Sequence, residues 1–91
     1  MIGSETRPQH GKHVVVKQGK NELMLLNSRT GHYYTLDDVG ITIWNLCDGT
    51  RTVSEIVAAV IQEYDAPAAT VEADVLELLK DLADEQLVYA D

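Results

Sequence analysis

Residues 30–49 read Thr30-Gly31-His32-Tyr33-Tyr34-Thr35-Leu36-Asp37-Asp38-Val39-Gly40-Ile41-Thr42-Ile43-Trp44-Asn45-Leu46-Cys47-Asp48-Gly49, and this stretch decides the fold. It runs as a turn, a short strand, a capped helix and a stop. Gly31 supplies the turn. His32 to Leu36 is aromatic and β-branched, the composition that suits a pleated, half-buried surface. Asp37 or Asp38 stands where a carboxylate accepts the free N–H groups of a helix's first turn. Val39, Ile43, Trp44, Leu46 and Cys47 give that helix an apolar side. Gly49 sits where a left-handed stop is usual.

Upstream of this stretch the chain reads as sheet. Lys12–Gln18 contains the β-branched run Val14-Val15-Val16, a first strand. Gly19-Lys20-Asn21 is a turn cluster, and Glu22–Asn27 is a second strand with a continuous apolar run. A turn over Asn27–Gly31 leads into the third strand. Three strands with short connections predict an antiparallel meander. Residues 1–11 are polar and hold two glycines and a proline, which predicts a flexible arm ahead of a single domain over residues 12–90.

Downstream the chain reads as helix. The first helix spans Asp38 to Cys47. In Thr52-Val53-Ser54-Glu55, the Thr and the Glu three residues later form a capping box. Ile56, Val57, Val60, Ile61 and Tyr64 then follow at helical spacing. Asp65-Ala66-Pro67 ends this helix and opens a third, from about Ala68 to Gln86. Its apolar stripe is Val71, Val75, Leu78, Leu79 and Leu82, and its acidic flank is Asp74, Glu77, Asp81, Asp84 and Glu85. Leu87-Val88-Tyr89 forms a short extended tail. The expected fold class is therefore α+β: a three-stranded antiparallel sheet followed by three helices, resembling a winged helix-turn-helix.

Composition narrows the function. At 91 residues and 45% apolar, the chain supports one small core. No run of about 18 apolar residues is present, and no secretion signal opens the chain. Cys47 is the single cysteine, which excludes an internal disulfide and fits a reducing cytoplasm. The net charge of −8 is unevenly placed. Residues 1–22 carry Arg7, Lys12, Lys17 and Lys20 against Glu5 and Glu22, or +2; the remainder carries Arg29, Arg51 and Lys80 against thirteen acids, or −10. Such a helical half repels phosphate backbones, so neither nucleic acid nor membrane is an expected partner. A winged-helix DNA binder would need a basic recognition helix, and the third helix offers Lys80 among many acids.

Chemistry-bearing constellations are sparse. The histidines are His10, His13 and His32, with no cysteine or acid cluster beside the first two, so no metal site is expected. There is no glycine-rich phosphate loop and no nucleophile elbow. Cys47 lies among apolar residues with nothing to lower its pKa. The acids of the third helix read as a solvated face. No enzyme and no cofactor are expected, which leaves an interaction module. The last strand of a meander can lie at an edge, and His32–Leu36 has no proline, lysine or glycine to blunt it. Such an edge either takes an added strand from a guest peptide or is covered by the chain's own tail or a twin subunit.

The segments Thr35–Gly49, Arg51–Val57, Glu63-Tyr64-Asp65, Val71–Leu82 and Gln86-Leu87-Val88 together resemble the PqqD family over about residues 13–88. The leucine before the first helix, the Trp, the Asp-Gly stop, the Thr-Val-x-Glu-Ile capping box and the Glu-Ala-Asp-Val opening of the third helix fall in that family's order. The resemblance implies a RiPP recognition element: a small chaperone binding the leader of a ribosomally made precursor as a fourth strand, between the third strand and the third helix. It further implies a strand wall of Tyr33, Tyr34, Thr35 and Leu36, and a helix wall drawn from Asp74, Val75, Leu78, Asp81 and Leu82; spacing leaves open which of these face the cleft. The implied partners are a leader peptide and a processing enzyme. That enzyme is a cysteine leader protease if the Tyr-Tyr strand marks a lasso-peptide pathway, or a radical-SAM enzyme if the chain serves pyrroloquinoline quinone synthesis.

Overall fold

The computed structural model describes residues 2–90, as five strands and three helices. In chain order these are β1 (Pro8–His10), β2 (Val14–Gln18), β3 (Leu23–Asn27), β4 (Tyr33–Leu36), α1 (Asp38–Leu46), α2 (Val53–Tyr64), α3 (Ala68–Asp84) and β5 (Val88–Ala90). The meander forms as expected. β2, β3 and β4 make an antiparallel sheet in that order, with Val16 opposite Leu25 and Leu25 opposite Tyr34.

Alternation decides which sheet face is covered. Leu23, Leu25 and Leu36 point inward and are buried with Trp44, Leu82, Leu87 and Val88. A second cluster joins the helices: Ile43, Cys47, Val53, Ile56, Val60, Val71, Val75 and Leu79. α3 contributes to both clusters, through Val75 to one and Leu82 to the other, so it fixes the sheet against the helical pair. α1 comes close to β4 because residue 40 is glycine: a Cβ there would lie 3.1 Å from Leu36 Cδ2.

Local signals set the helix ends. The Asp37 carboxylate, not that of Asp38, caps α1 by accepting from the Gly40 N–H at 3.0 Å. Thr52 and Glu55 form the full capping box of α2. The Thr52 N–H, donating to Glu55, holds that carboxyl below the usual range. α3 closes with a Schellman motif: Leu87 N–H donates to Leu82 C=O and Gln86 N–H to Ala83 C=O, with Gln86 left-handed at φ 58°.

The opening segment differs from the flexible arm expected of it. Met1 lies outside the described residues, but residues 2–11 are tied to the domain. Val53 N–H donates to Thr6 C=O, and Ser54 N–H to Ser4 C=O. β1 pairs antiparallel with β5, Pro8 opposite Ala90 and His10 opposite Val88. The His10 ring stacks on Trp44 with centroids 3.6 Å apart. The arm's partners lie 34 or more positions away, in residues 44–54 and in β5, which no local pattern displays.

Candidate functional site

β4 is an edge strand. Its ladder to β3 includes Asn27 N–H donating to His32 C=O at 2.8 Å. Antiparallel pairs alternate between hydrogen-bonded and non-bonded, so Tyr34 and Leu36 spend their backbone groups on β3. The N–H and C=O groups of Tyr33 and Thr35 point the other way, along the open side. β5, the chain's own C-terminal strand, pairs with β1 instead. The rim is thus not taken by the tail, one of the coverings the sequence left open.

Beside this rim lies a groove whose far wall is α3. At the Leu36 end a hollow of about 570 Å³ is lined by Tyr34, Leu36, Val39, Ile43, Asp74 and Leu78, among others. At the Gly31 end a hollow of about 540 Å³ is lined by His32, Tyr33, Tyr34, Asp81, Asp84 and Glu85. The apolar residues gather at the Leu36 end, and acids rim both hollows: Glu22, Asp37 and Asp74 at one, Asp81, Asp84 and Glu85 at the other. Two side-chain links cross from strand to helix. His32 Nδ1 lies 2.9 Å from Glu85 Oε2, and the Tyr34 hydroxyl donates to Asp81 Oδ2 over a long 3.4 Å. Partial burial pushes the Tyr34 hydroxyl's pKa up, and the charges of Asp81 and Glu77 add to this.

The helix-wall residues divide. Asp74, Leu78 and Asp81 line the groove. Val75 and Leu82 are 0% exposed and belong to the core, so they offer the groove no surface. On the strand wall, Tyr33 and Thr35 are exposed, Tyr34 is half-buried and Leu36 is 2% exposed with its side chain turned inward. The sequence reading did not place Val39 and Ile43 in the site, nor the pairing of His32 with Glu85. It also missed the role of Asn27, read there as the end of the second strand and the start of a turn. Asn27 is 1% exposed. Its Nδ2 donates to Glu85 C=O at 2.9 Å, while its Oδ1 accepts from the Arg29 and Thr30 N–H groups. One amide thus fastens the β3–β4 turn to the end of α3 and sets the spacing of the groove's two walls.

Other chemistry is thin. Among the described residues, no group of three His, Cys, Asp or Glu side chains is placed to hold a metal ion. Cys47 is fully buried, and its thiol is pushed up to about 12, first by burial and then by the Asp48 charge. No helix among the described residues is long and apolar enough to cross a membrane.

Known proteins share this arrangement. The family model for coenzyme PQQ synthesis protein D (PqqD) matches residues 22–88. A PqqA binding protein of Rhodopseudomonas palustris (strain HaA2) is 29% identical over 83 residues, 91% of this chain and 81% of that protein. Among solved structures, TbiB1 in complex with the TbiA(beta) leader peptide superposes with a TM-score of 0.79 at 38% identity, covering 91% of this chain and 99% of that one. The PqqD truncation of Methylobacterium extorquens PqqCD, described as a stand-alone RiPP recognition element, gives 0.78 at 29% identity, over 98% and 95% of the two chains. With the same three strands and three helices in the same order, and residues 22–88 matched, the chain belongs to the PqqD family.

Proposed function

We propose that this chain is a leader-peptide chaperone. It takes the leader of a ribosomally made precursor as a fourth strand on β4, in the groove walled by α3, and presents the precursor to a processing enzyme. The observation that carries this reading is the open rim of Tyr33 and Thr35 beside an apolar hollow. The relative solved in complex with a leader peptide and the relative named for binding PqqA support it.

The guest's contacts follow from the lining. Its backbone meets Tyr33 and Thr35, its inward side chains enter the hollow floored by Leu36, Val39, Ile43 and Leu78, and its flanking residues meet Asp74, Asp81, Asp84 and Glu85. The chain itself performs no chemistry in this reading; the enzyme it supplies does. Resemblance of the Tyr33-Tyr34 strand favours a cysteine leader protease of a lasso-peptide pathway. The PqqD names among the relatives favour a radical-SAM enzyme as the second reading.

The test is a calorimetric titration of the chain with synthetic leader peptides, the TbiA(beta) leader first. Leu78→Asp and Tyr34→Asp should each weaken binding by tenfold or more, a loss of about 1.4 kcal/mol. His13→Ala should leave it unchanged. If neither groove change matters, the guest binds elsewhere.

A further inference from the structure

Asn27 ends β3, and each of its four polar atoms is engaged. Its backbone N–H donates to His32 C=O and its C=O accepts from Gly31 N–H, both at 2.8 Å, which closes the turn into β4. Its Oδ1 accepts from the Arg29 and Thr30 N–H groups at 2.9 and 3.2 Å. Its Nδ2 leaves the turn and donates to Glu85 C=O at 2.9 Å. Glu85 lies just past α3, and its carboxylate turns back to the same hairpin, 2.9 Å from His32 Nδ1. At 1% exposure Asn27 offers a guest no surface, so whatever it does for binding passes through its neighbours.

The links between the two walls are unevenly placed. Among the described residues, the hydrogen bonds from the β3–β4 hairpin to α3 and its cap come from Asn27, His32 and Tyr34, and they end on Glu85 and Asp81. At the Leu36 end the walls meet through apolar packing, with Leu78 set against the cluster that holds Leu36. A hydrogen bond fixes a distance and a direction, whereas apolar contact is non-directional and can slide. The groove is therefore fastened at one end and yielding at the other.

We propose that Asn27 is a positioning residue of the peptide site; this deepens, and rests on, the reading of β4 as the strand that accepts the guest. Acting on the turn through one side of its amide and on Glu85 through the other, it holds the Gly31 end of the groove at one width. Contacts that the guest makes there, beside Tyr33 and Tyr34 and against Asp81 and Asp84, depend on Asn27. Contacts in the hollow by Leu36 and Leu78 do not. The guest is read strictly at the fastened end and gripped at the yielding one.

Two replacements separate the turn from the fastening. Asn27→Ala removes both. Asn27→Asp keeps an acceptor for the Arg29 and Thr30 N–H groups but sets a second carboxylate oxygen against Glu85 C=O, where two acceptors repel. The probes are the TbiA(beta) leader and two shorter versions, one trimmed from its N-terminal side and one from its C-terminal side. Binding is read by fluorescence anisotropy at a temperature where circular dichroism shows every variant folded. Both variants should bind the full leader about tenfold more weakly than wild type. With the trimmed leader that lacks the residues at the Gly31 end, variants and wild type should agree within about twofold, and with the other the tenfold gap should persist. Thr52→Ala, which loosens α2 away from the groove, should show no gap with any leader. If Asn27→Asp binds the full leader like wild type, the fastening does not position the groove and the inference is overturned. An equal loss for all three leaders means a general loosening and overturns it as well. If Asn27→Asp fails to fold, Asn27→Ala with the trimmed leaders decides between these outcomes. If wild type binds no full-length leader, the β4 reading falls and takes this inference with it.

Discussion

Thr35→Pro separates a strand-adding groove from an ordinary apolar cleft. The Thr35 N–H points to the open side of β4, whereas the Tyr34 N–H belongs to the β3 ladder. Proline at 35 therefore removes a donor that only a guest would use, and edge positions of this kind tolerate proline. Proline at 34 breaks the sheet itself. A guest strand paired through Tyr33 and Thr35 makes four main-chain hydrogen bonds at most, worth roughly 0.5–1.5 kcal/mol each. Ordering about five guest residues costs roughly 1–2 kcal/mol apiece. The ladder alone loses, so affinity depends on apolar side chains in the hollow by Leu36, Ile43 and Leu78, at about 1.5–3 kcal/mol for each one buried. Against so small a surplus, one lost bond is large. Removing the donor and stranding the guest carbonyl costs about 1–3 kcal/mol, or roughly 5- to 150-fold in affinity. Fluorescence anisotropy with a labelled leader, beside thermal melts by circular dichroism, reads both terms. Thr35→Pro should stay folded and bind weakly; Tyr34→Pro should fail to fold. A folded Thr35→Pro protein that binds within twofold of wild type would refute strand addition on β4.

Further outcomes follow from particular contacts. Binding of a basic leader should weaken from low to high salt, because Asp81, Asp84 and Glu85 rim the groove; calorimetry at two ionic strengths checks this. Thr52→Ala removes the capping box of α2 and should cost about 1 kcal/mol, lowering the melting temperature by about 4–8 °C without changing leader affinity. Cys47 should resist iodoacetamide at pH 8 until the protein is denatured, since its folded pKa is about 12. Because that pKa lies above the ordinary thiol value of 9.0, the thiol's contribution to stability is present below pH 9 and is lost as pH rises towards 12. Urea melts across that range should show the decline, with Cys47→Ala as the comparison that isolates it.

Elements whose signals are local were legible in the sequence. Thr52 and Glu55 mark the start of α2 within four residues, and the Asp37-Asp38 pair marks that of α1, though not which of the two is the cap. The meander shows in three β-rich runs with turn residues between them. Elements that depend on distant partners were not legible. β1 and β5 are three residues each, one begins with proline, and each pairs with the other across the length of the chain, with β1 also bridged to Asp48. Asn27 carries no sequence mark that separates an Asx turn from a fastening to Glu85 58 positions away. The groove wall of α3 was half legible. Val71, Val75, Leu78, Leu79 and Leu82 make a stripe wider than one contact line. Asp74, Leu78, Asp81 and Glu85, spaced four, three and four apart, form the line that meets β4. A leucine within an acidic row was the signal that could have identified this line, because Leu78 lies between the stripe and the flank.

The β1–β5 ribbon sets Pro8 directly across from Ala90. Neither strand lines the hollows beside β4. A unit whose first and last strands lie a strand's width apart brings both into one ribbon, away from the groove. By the same geometry new ends cut at the Gly19-Lys20 turn, with a linker that leads from the end of β5 back into residues 2–7 and so keeps Ser4 and Thr6 on α2, should give a permuted chain that still captures a leader peptide.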